Sequence, residues 1–234
     1  MTSARLVLAV LLAGGGFPSG TGAGDDPNGD VAVPFTDYTA EAFFELKATG
    51  EKIDPIQVDR ALLDAAVFHE TNRRRLRHGL PALAFDGRAR EAARMQSAAM
   101  AKHGFIGHQN PFDAELRTPM DRAQRAGLQP RFIAENLADA FARRHPDDGK
   151  IYVRVEAGKK IASTRAEGPP IPVHTYRGFA QALLDDWMGS PGHRQNILHR
   201  SPEYLGTACS PANGQAPTEK FSCTQVFFAP LGPR

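Results

Sequence analysis

Segments with helical spacing of apolar residues come first in this chain, and two strand-like runs come last. The strand-like runs are Tyr204 to Cys209 and Phe221 to Phe228, and a polar loop separates them. Apolar residues that recur every three or four positions predict amphipathic helices, whereas short runs of β-branched and aromatic residues bounded by turns predict strands. Helices followed by an antiparallel hairpin favour an α+β architecture over a doubly wound parallel sheet.

Turn and cap residues set the predicted bounds of the helices. The first main helix is predicted to begin at Asp54-Pro55, because aspartate is a good N-cap and proline is tolerated in the first turn. The small side chains of the helix predicted at Asp86 to His103 indicate that another element packs closely against it. The other predicted helices are a short one around Thr39 to Lys47, then Asp86 to His103, Thr118 to Gly127, Ala134 to Arg143, and the segment in which Phe179, Leu183 and Trp187 recur every fourth residue.

A basic cluster of four arginines lies near the end of the first main helix, at Arg73, Arg74, Arg75 and Arg77. Cations suit a helix C-terminus, where the last carbonyl groups lack partners. We therefore favour a solvent-exposed helix end over an anion-binding site for this cluster.

The first 24 residues have the features of a secretory signal peptide. Arg5 precedes an apolar run from Leu6 to Ala13, and small residues then lead to Asp25. A charged start, a short apolar core and a small-residue cleavage region are typical of export signals, and the apolar run is too short to span a membrane. We therefore expect a secreted or periplasmic, extracytoplasmic protein.

The remaining chain divides into a lead-in at residues 25–54 and one main domain at residues 55–230. Within this domain, residues 144–177 are rich in proline, glycine and charge, which indicates an insertion loop. The alternating piece Ile151 to Val155 in this insertion is predicted to be one strand of a hairpin.

Composition and motifs exclude several functional classes. Twenty-eight basic and 26 acidic residues give a formal net charge of +2, so the chain as a whole shows no sign of a nucleic-acid partner. The zinc-protease motif is missing because Arg73 stands where HExxH needs its second histidine, and there is no G-x-S-x-G elbow or nucleotide-binding glycine pattern.

In an oxidising compartment, a disulfide between Cys209 and Cys223 is favoured over two free thiols.

Five motifs occur in a fixed order: GLPAL near position 80, FIGH at 105–108, AENL at 134–137, WMGSPGHRQNIL at 187–198 and TQVFF at 224–228. Together they resemble the bacterial, SCP-like extracellular branch of the CAP superfamily, which groups cysteine-rich secretory proteins, antigen 5 and pathogenesis-related proteins. The resemblance covers about residues 56 to 229. It implies a three-layer α-β-α sandwich with a central antiparallel sheet, an exported protein, and a cleft in which many members carry two histidines and two glutamates that can take a divalent metal.

The resemblance assigns three residues to that cleft. His108 matches one family histidine, Glu135 matches the first family glutamate, and His193 matches the histidine of the bacterial SPGHR motif. The second family glutamate would stand at Ser190, and the second family histidine would stand just before the TQ pair, at Ser222 or Cys223. The four-residue set is therefore incomplete, and His108, Glu135 and His193 are the candidate metal ligands.

Two interpretations of these three residues stay open, and both require them to converge on one hollow. Two neutral imidazoles and one carboxylate can hold Zn²⁺ with a position left for water. They can equally form a buried hydrogen-bond network, in which Glu135 lies near a predicted helix start and accepts backbone N–H groups. An unpaired polar atom among the apolar neighbours of these motifs would cost about 1–3 kcal/mol.

The favoured function is a non-enzymatic binding module, with small lipids or sterols, envelope polysaccharide or another secreted protein as partners. The alternative is a metal-dependent hydrolase that acts on extracellular peptide or cell-envelope glycan. A zinc-bound water needs a general base, and Glu135 would have to serve as both ligand and base. A third possibility is a purely structural exported protein.

Overall fold

A five-stranded sheet lies at the centre of the molecule, in the order β1-β3-β7-β6-β2. The computed structural model describes residues 9–13, 35–55, 57–144, 150–212 and 219–232. Neighbouring strands are antiparallel except for β2, which pairs with β6 in parallel. The strands are β1 Ala9–Ala13, β2 Ala84–Phe85, β3 Pro130–Phe141, β6 Tyr204–Pro211 and β7 Lys220–Pro230.

Helices cover both faces of this sheet, as the predicted three-layer α-β-α sandwich requires. Two separate apolar cores lie on the two faces: one contains residues of α3 and α4, and the other contains residues of α2, α5 and α6. The parallel pairing of β2 with β6 is the one departure from the predicted antiparallel sheet among the described strands. The helices are α1 Ala40–Glu45, followed by a 3-10 turn at Lys47–Gly50, then α2 Arg60–Arg77, α3 Gly87–His103, α4 Pro119–Arg125, α5 Tyr176–Gly189 and α6 Pro191–Ile197.

Capping residues explain most of these bounds. The Asp86 carboxylate accepts the N–H groups of Arg88 and Ala89 at the start of α3, and Gly104 ends α3 with a φ of 69°. Thr118 and Asp121 form a capping box at the start of α4. These two helices therefore form where the sequence predicts them.

The first main helix begins later than the sequence predicts. Asp59, not Asp54, is the N-cap of α2, and its carboxylate accepts the N–H of Leu62 at 2.9 Å. Asp54 instead caps a separate turn, in which it accepts the N–H of Gln57 at 3.3 Å. Both aspartates are good caps, so local chemistry alone does not choose between them.

The helix predicted at Ala134 to Arg143 is wrong, because these residues belong mostly to β3. Phe132 and Ala134 face the core of α2 and α5, whereas Ile133 faces the core of α3 and α4. A strand that is buried on both faces lacks the polar–apolar alternation that identifies strands in a sequence. Glu135 therefore lies in mid-strand and not at a helix start.

The insertion forms its own hairpin, as the alternating piece at Ile151 to Val155 predicts. Strands β4 Tyr152–Glu156 and β5 Lys159–Ser163 pair with each other and form a two-stranded sheet apart from the central one.

Residues 9–13 form the outermost strand of the central sheet, where β1 pairs with β3 from Ala9↔Asn136 to Ala13↔Phe132. The rest of the predicted signal peptide at residues 1–24 lies outside the described residues, so cleavage stays a prediction. In the ranges that the structure describes, no helix combines the length and the apolar character needed to cross a membrane.

Two close contacts fix the positions of the last strands. Cys209 and Cys223 face each other across β6 and β7 and form the predicted disulfide, which stabilises the fold by about 2–3 kcal/mol through restriction of the unfolded chain. On β6, Gly206 lies directly under α3, and a Cβ at this position would lie 2.0 Å from the Arg90 nitrogen. The predicted close approach of the small-residue helix is therefore confirmed, since Ala89, Ala92 and Ala93 are all buried there.

Candidate functional site

Glu135 is the centre of a buried polar cluster on the face of β3 that carries α3 and α4. Its side chain is only 1% exposed. Arg122 Nη2 donates to Glu135 Oε1 at 3.0 Å and to Oε2 at 2.8 Å. His108 Nδ1 lies 2.8 Å from Oε1, and because a carboxylate only accepts, this nitrogen carries the hydrogen. Both oxygens of Glu135 therefore contact donors inside the protein. We call His108, Arg122 and Glu135 the buried cluster.

Arg122 joins the buried cluster to the loop at residues 104–118. Its Nη2 also donates to the His108 carbonyl at 3.1 Å, and its Nη1 donates to the carbonyls of Leu116 at 3.0 Å and Arg117 at 3.3 Å. The capping box of α4 fixes the start of the helix that carries this arginine. The sequence reasoning missed Arg122. A carboxylate that is buried in its charged form is usually paired with a cation, and the predicted third helix contains arginines.

The ring of His108 is held on one side only. Its Nδ1 is bound by Glu135, and the neighbouring Gly107 carbonyl accepts from Gln96 Nε2. Its Nε2 is buried and has no hydrogen-bond partner among the described residues. With the hydrogen on Nδ1, Nε2 of the neutral ring is an acceptor that no described residue uses.

His193 lies on α6, which packs on the other face of the sheet. Successive side chains of a strand point to opposite faces, so Asn136 points away from the Glu135 side. Asn136 Nδ2 donates to the His193 carbonyl at 3.3 Å, and Asn196 Nδ2 donates to Asn136 Oδ1 at 2.9 Å. The buried His193 ring packs edge-on against Trp187 at 6.3 Å. The structure therefore brings His108 and Glu135 together and places His193 with the amide network of α6.

The positions of His108, Glu135 and His193 do not fit the predicted zinc site. In the described part of the chain, no three His, Cys, Asp or Glu side chains form a group that could hold a metal ion. The Glu135 oxygens contact a guanidinium, which would repel a metal cation. Ser222, at one of the missing family positions, donates to Asp139 Oδ1 at 2.8 Å. These contacts therefore argue against a zinc ion held jointly by His108, Glu135 and His193, although zinc binding itself is untested.

One exposed aromatic ring, that of Phe112, lies on the loop that the buried cluster holds, with the half-buried ring of Phe105 beside it. Phe112 is 56% exposed, and its ring stacks on His103 with centroids 4.1 Å apart. Phe105 lies 5.6 Å from Phe112 in a tilted arrangement. Asn110, which is buried, accepts the N–H of Phe112 at 2.9 Å and so fixes the turn that presents this ring. We call residues 104–118 the aromatic loop.

The basic cluster at the end of α2 is not uniformly exposed, so the predicted solvated helix end is wrong for Arg75. This side chain is fully buried. Its Nε donates to the Pro81 carbonyl at 3.0 Å, and its Nη1 donates to the carbonyls of Ile197 at 2.7 Å and His199 at 2.8 Å. Burial lowers the pKa of Arg75 to about 10. The cation caps the C-terminus of α6, where free carbonyls favour positive charge.

Asp64 is a second buried acid that the sequence reasoning missed. Its Oδ1 accepts the N–H of Cys209 at 2.9 Å, and its Oδ2 accepts from Arg90 Nε at 3.1 Å. Burial raises the pKa of Asp64 to about 7, against the opposing effect of the Arg90 cation. These contacts join α2 to α3 and β6.

The raised pKa of Asp64 predicts a stability that depends on pH. A carboxyl group whose pKa is higher in the folded state stabilises the fold fully below the unfolded pKa of 3.8, and this contribution is lost as the pH rises to about 7. Asp64→Asn should remove this dependence. In urea unfolding, the variant's free energy of unfolding minus that of the wild type should rise by up to about 1.4 kcal/mol per pH unit between those values. A difference that stays constant with pH would contradict the assignment.

Comparison with known proteins places this fold in a family. The model of CAP, the cysteine-rich secretory protein family, matches residues 68–227. An extracellular SCP-domain protein from Bacillus anthracis str. Ames is 24% identical with a TM-score of 0.47, and the match covers 72% of this chain and 41% of that protein, less than half its length. An outer surface protein from Borrelia burgdorferi is 15% identical with a TM-score of 0.49, and the match covers 78% of this chain and 99% of that one.

No curated protein matches the sequence significantly. The family match nevertheless spans well over half of the 234 residues, including His108, Glu135 and His193. The chain therefore belongs to the CAP, or cysteine-rich secretory protein, family.

Proposed function

We propose that this protein is an exported binding module without catalytic activity. The observation that carries the proposal is the engagement of both Glu135 oxygens by Arg122 and His108. A general base must reach the proton that it abstracts, and a carboxylate that already accepts from two buried donors is poorly placed for that role. The disulfide between Cys209 and Cys223 supports export, since disulfides persist in oxidising compartments.

The aromatic loop is the proposed binding surface, because the buried cluster fixes its backbone and leaves the ring of Phe112 exposed. An exposed flat ring with polar neighbours offers one apolar face and several hydrogen-bonding groups. Exposed Asp113 directly follows Phe112, and exposed Gln109 lies three residues before it. This combination suits a sugar ring, which has apolar C–H faces and a rim of hydroxyl groups. We therefore favour envelope polysaccharide over a lipid or a protein as the ligand.

Replacement of Phe112 tests this proposal. Phe112→Ser removes the stacking ring at an exposed position, so it should weaken co-sedimentation with insoluble cell-envelope polysaccharide at least tenfold while thermal unfolding changes little. Tyr152→Ser is the matched control, because Tyr152 is a 45% exposed aromatic residue on the separate β4–β5 hairpin. This control should bind as well as the wild type.

The same incubations distinguish a binding module from an enzyme. If the wild type releases new reducing ends from the polysaccharide and Glu135→Gln does not, the protein is a hydrolase and the binding-module proposal is wrong. Failure of the wild type to sediment with the polysaccharide, or equal loss in Phe112→Ser and Tyr152→Ser, would refute the aromatic loop as the glycan surface.

The metal-dependent hydrolase remains the second candidate, and the lone Nε2 of His108 is the observation in its favour. Zinc titration of the wild type, His108→Ala and His193→Ala decides between the two. Our proposal expects no stoichiometric zinc uptake by the wild type, because Arg122 occupies the carboxylate of Glu135. One bound equivalent that disappears in both variants would instead support the metal site and reopen the hydrolase.

A further inference from the structure

A groove of about 510 Å³ lies between residues 36–41, helix α2 and strand β2, and it shares no residue with the buried cluster or the aromatic loop. Its volume falls in the range of small-molecule sites, which are concave and mostly preformed. We call it the N-terminal groove.

The walls of the N-terminal groove are held in place by buried polar contacts. His69 Nε2 lies 2.7 Å from the Phe35 carbonyl, and the His69 ring stacks on Phe43 at 4.2 Å, which fastens the N-terminal segment to α2. On the other wall, the Asn72 amide binds both the N–H and the carbonyl of Leu83, at 2.8 and 3.0 Å. The groove is therefore a fixed feature of the fold.

Aromatic and aliphatic side chains form much of the groove surface. Tyr38 is 42% exposed and Leu76 is 46% exposed, although both line a concavity. The rings of Phe68 and Phe85 pack edge-on behind them, with centroids 5.8 Å apart. Exposed apolar groups that converge on a concave site are typical of a ligand-binding surface.

The charge of the groove has one sign. The exposed carboxylates of Asp37 and Glu41 line it, and that of Glu41 acts on the neighbouring His69 ring. None of the described lining residues is lysine or arginine, although the chain as a whole has a net charge of +2. Burial lowers the pKa of His69, against the opposing effects of the Phe35 carbonyl and the Glu41 carboxylate.

We propose that the N-terminal groove binds a small organic cation with an apolar body. The ammonium group would lie near Asp37 and Glu41, and the apolar body would lie against Tyr38 and Leu76. Aromatic rings attract cations through their electron-rich faces, and nearby carboxylates add to that attraction. An anionic ligand would meet only like charge at this site.

Calorimetric titration with three probes of similar size tests the charge requirement. Benzyltrimethylammonium should bind with one equivalent, whereas neutral benzyl alcohol and anionic phenylacetate should bind at least tenfold more weakly. Raised salt should weaken binding of the cation, because exposed charges are screened. Equal affinity for the three probes, or no binding of the cation at millimolar concentration, would overturn the proposal.

Two pairs of variants locate the binding to the groove. Glu41→Gln should weaken binding of the cation at least threefold, whereas Glu45→Gln should leave it unchanged, since Glu45 is exposed on the same helix but does not line the groove. Tyr38→Ser should also weaken binding, and Tyr152→Ser, an exposed tyrosine outside the groove, should not. Equal effects within either pair would place the cation elsewhere and refute this assignment.

Discussion

A carboxylate buried between a sheet and its covering helices must have a cation beside it, and the ion pair of Glu135 with Arg122 meets that need. Removal of one partner from such a pair leaves an uncompensated buried charge and typically costs about 3–5 kcal/mol. The position of α4 follows from this pairing, since Arg122 must reach β3 while it also binds the carbonyls of the aromatic loop. The exposed ring of Phe112 therefore depends on a contact deep inside the protein.

Much of the fold follows from local signals in the sequence. Helix α3 and helix α4 carry clear caps, and β6 and β7 carry apolar runs that end the chain, so each forms where predicted. Strand β3 does not follow from local signals, because helices cover both of its faces and remove the alternation on which strand prediction relies. Likewise, only tertiary contacts select Asp59 over Asp54 as the cap of α2.

The candidate site, like the fold, follows only in part from local signals in the sequence. The motifs predict that His108 and Glu135 meet, and they do, at 2.8 Å. Arg122 and Arg75 carry no motif, and their burial depends on acids or carbonyl groups that other elements bring to them. The mid-strand position of Glu135 also explains why neighbouring Asn136 serves α6 on the opposite face, with the carbonyl of His193 as a partner. Motif order alone does not show that one strand supplies two separate polar networks.

A double-mutant cycle tests most directly whether the Arg122–Glu135 ion pair holds this structure together. The free energy of unfolding in urea is measured for Arg122→Met, for Glu135→Gln and for the double variant. Exposed Arg125→Met, on the same helix, is the control. The ion pair predicts that each single change costs about 3 kcal/mol, that the double variant loses at least about 2 kcal/mol less than the sum, and that Arg125→Met costs less than about 0.5 kcal/mol. Additive losses from Arg122 and Glu135 would contradict it.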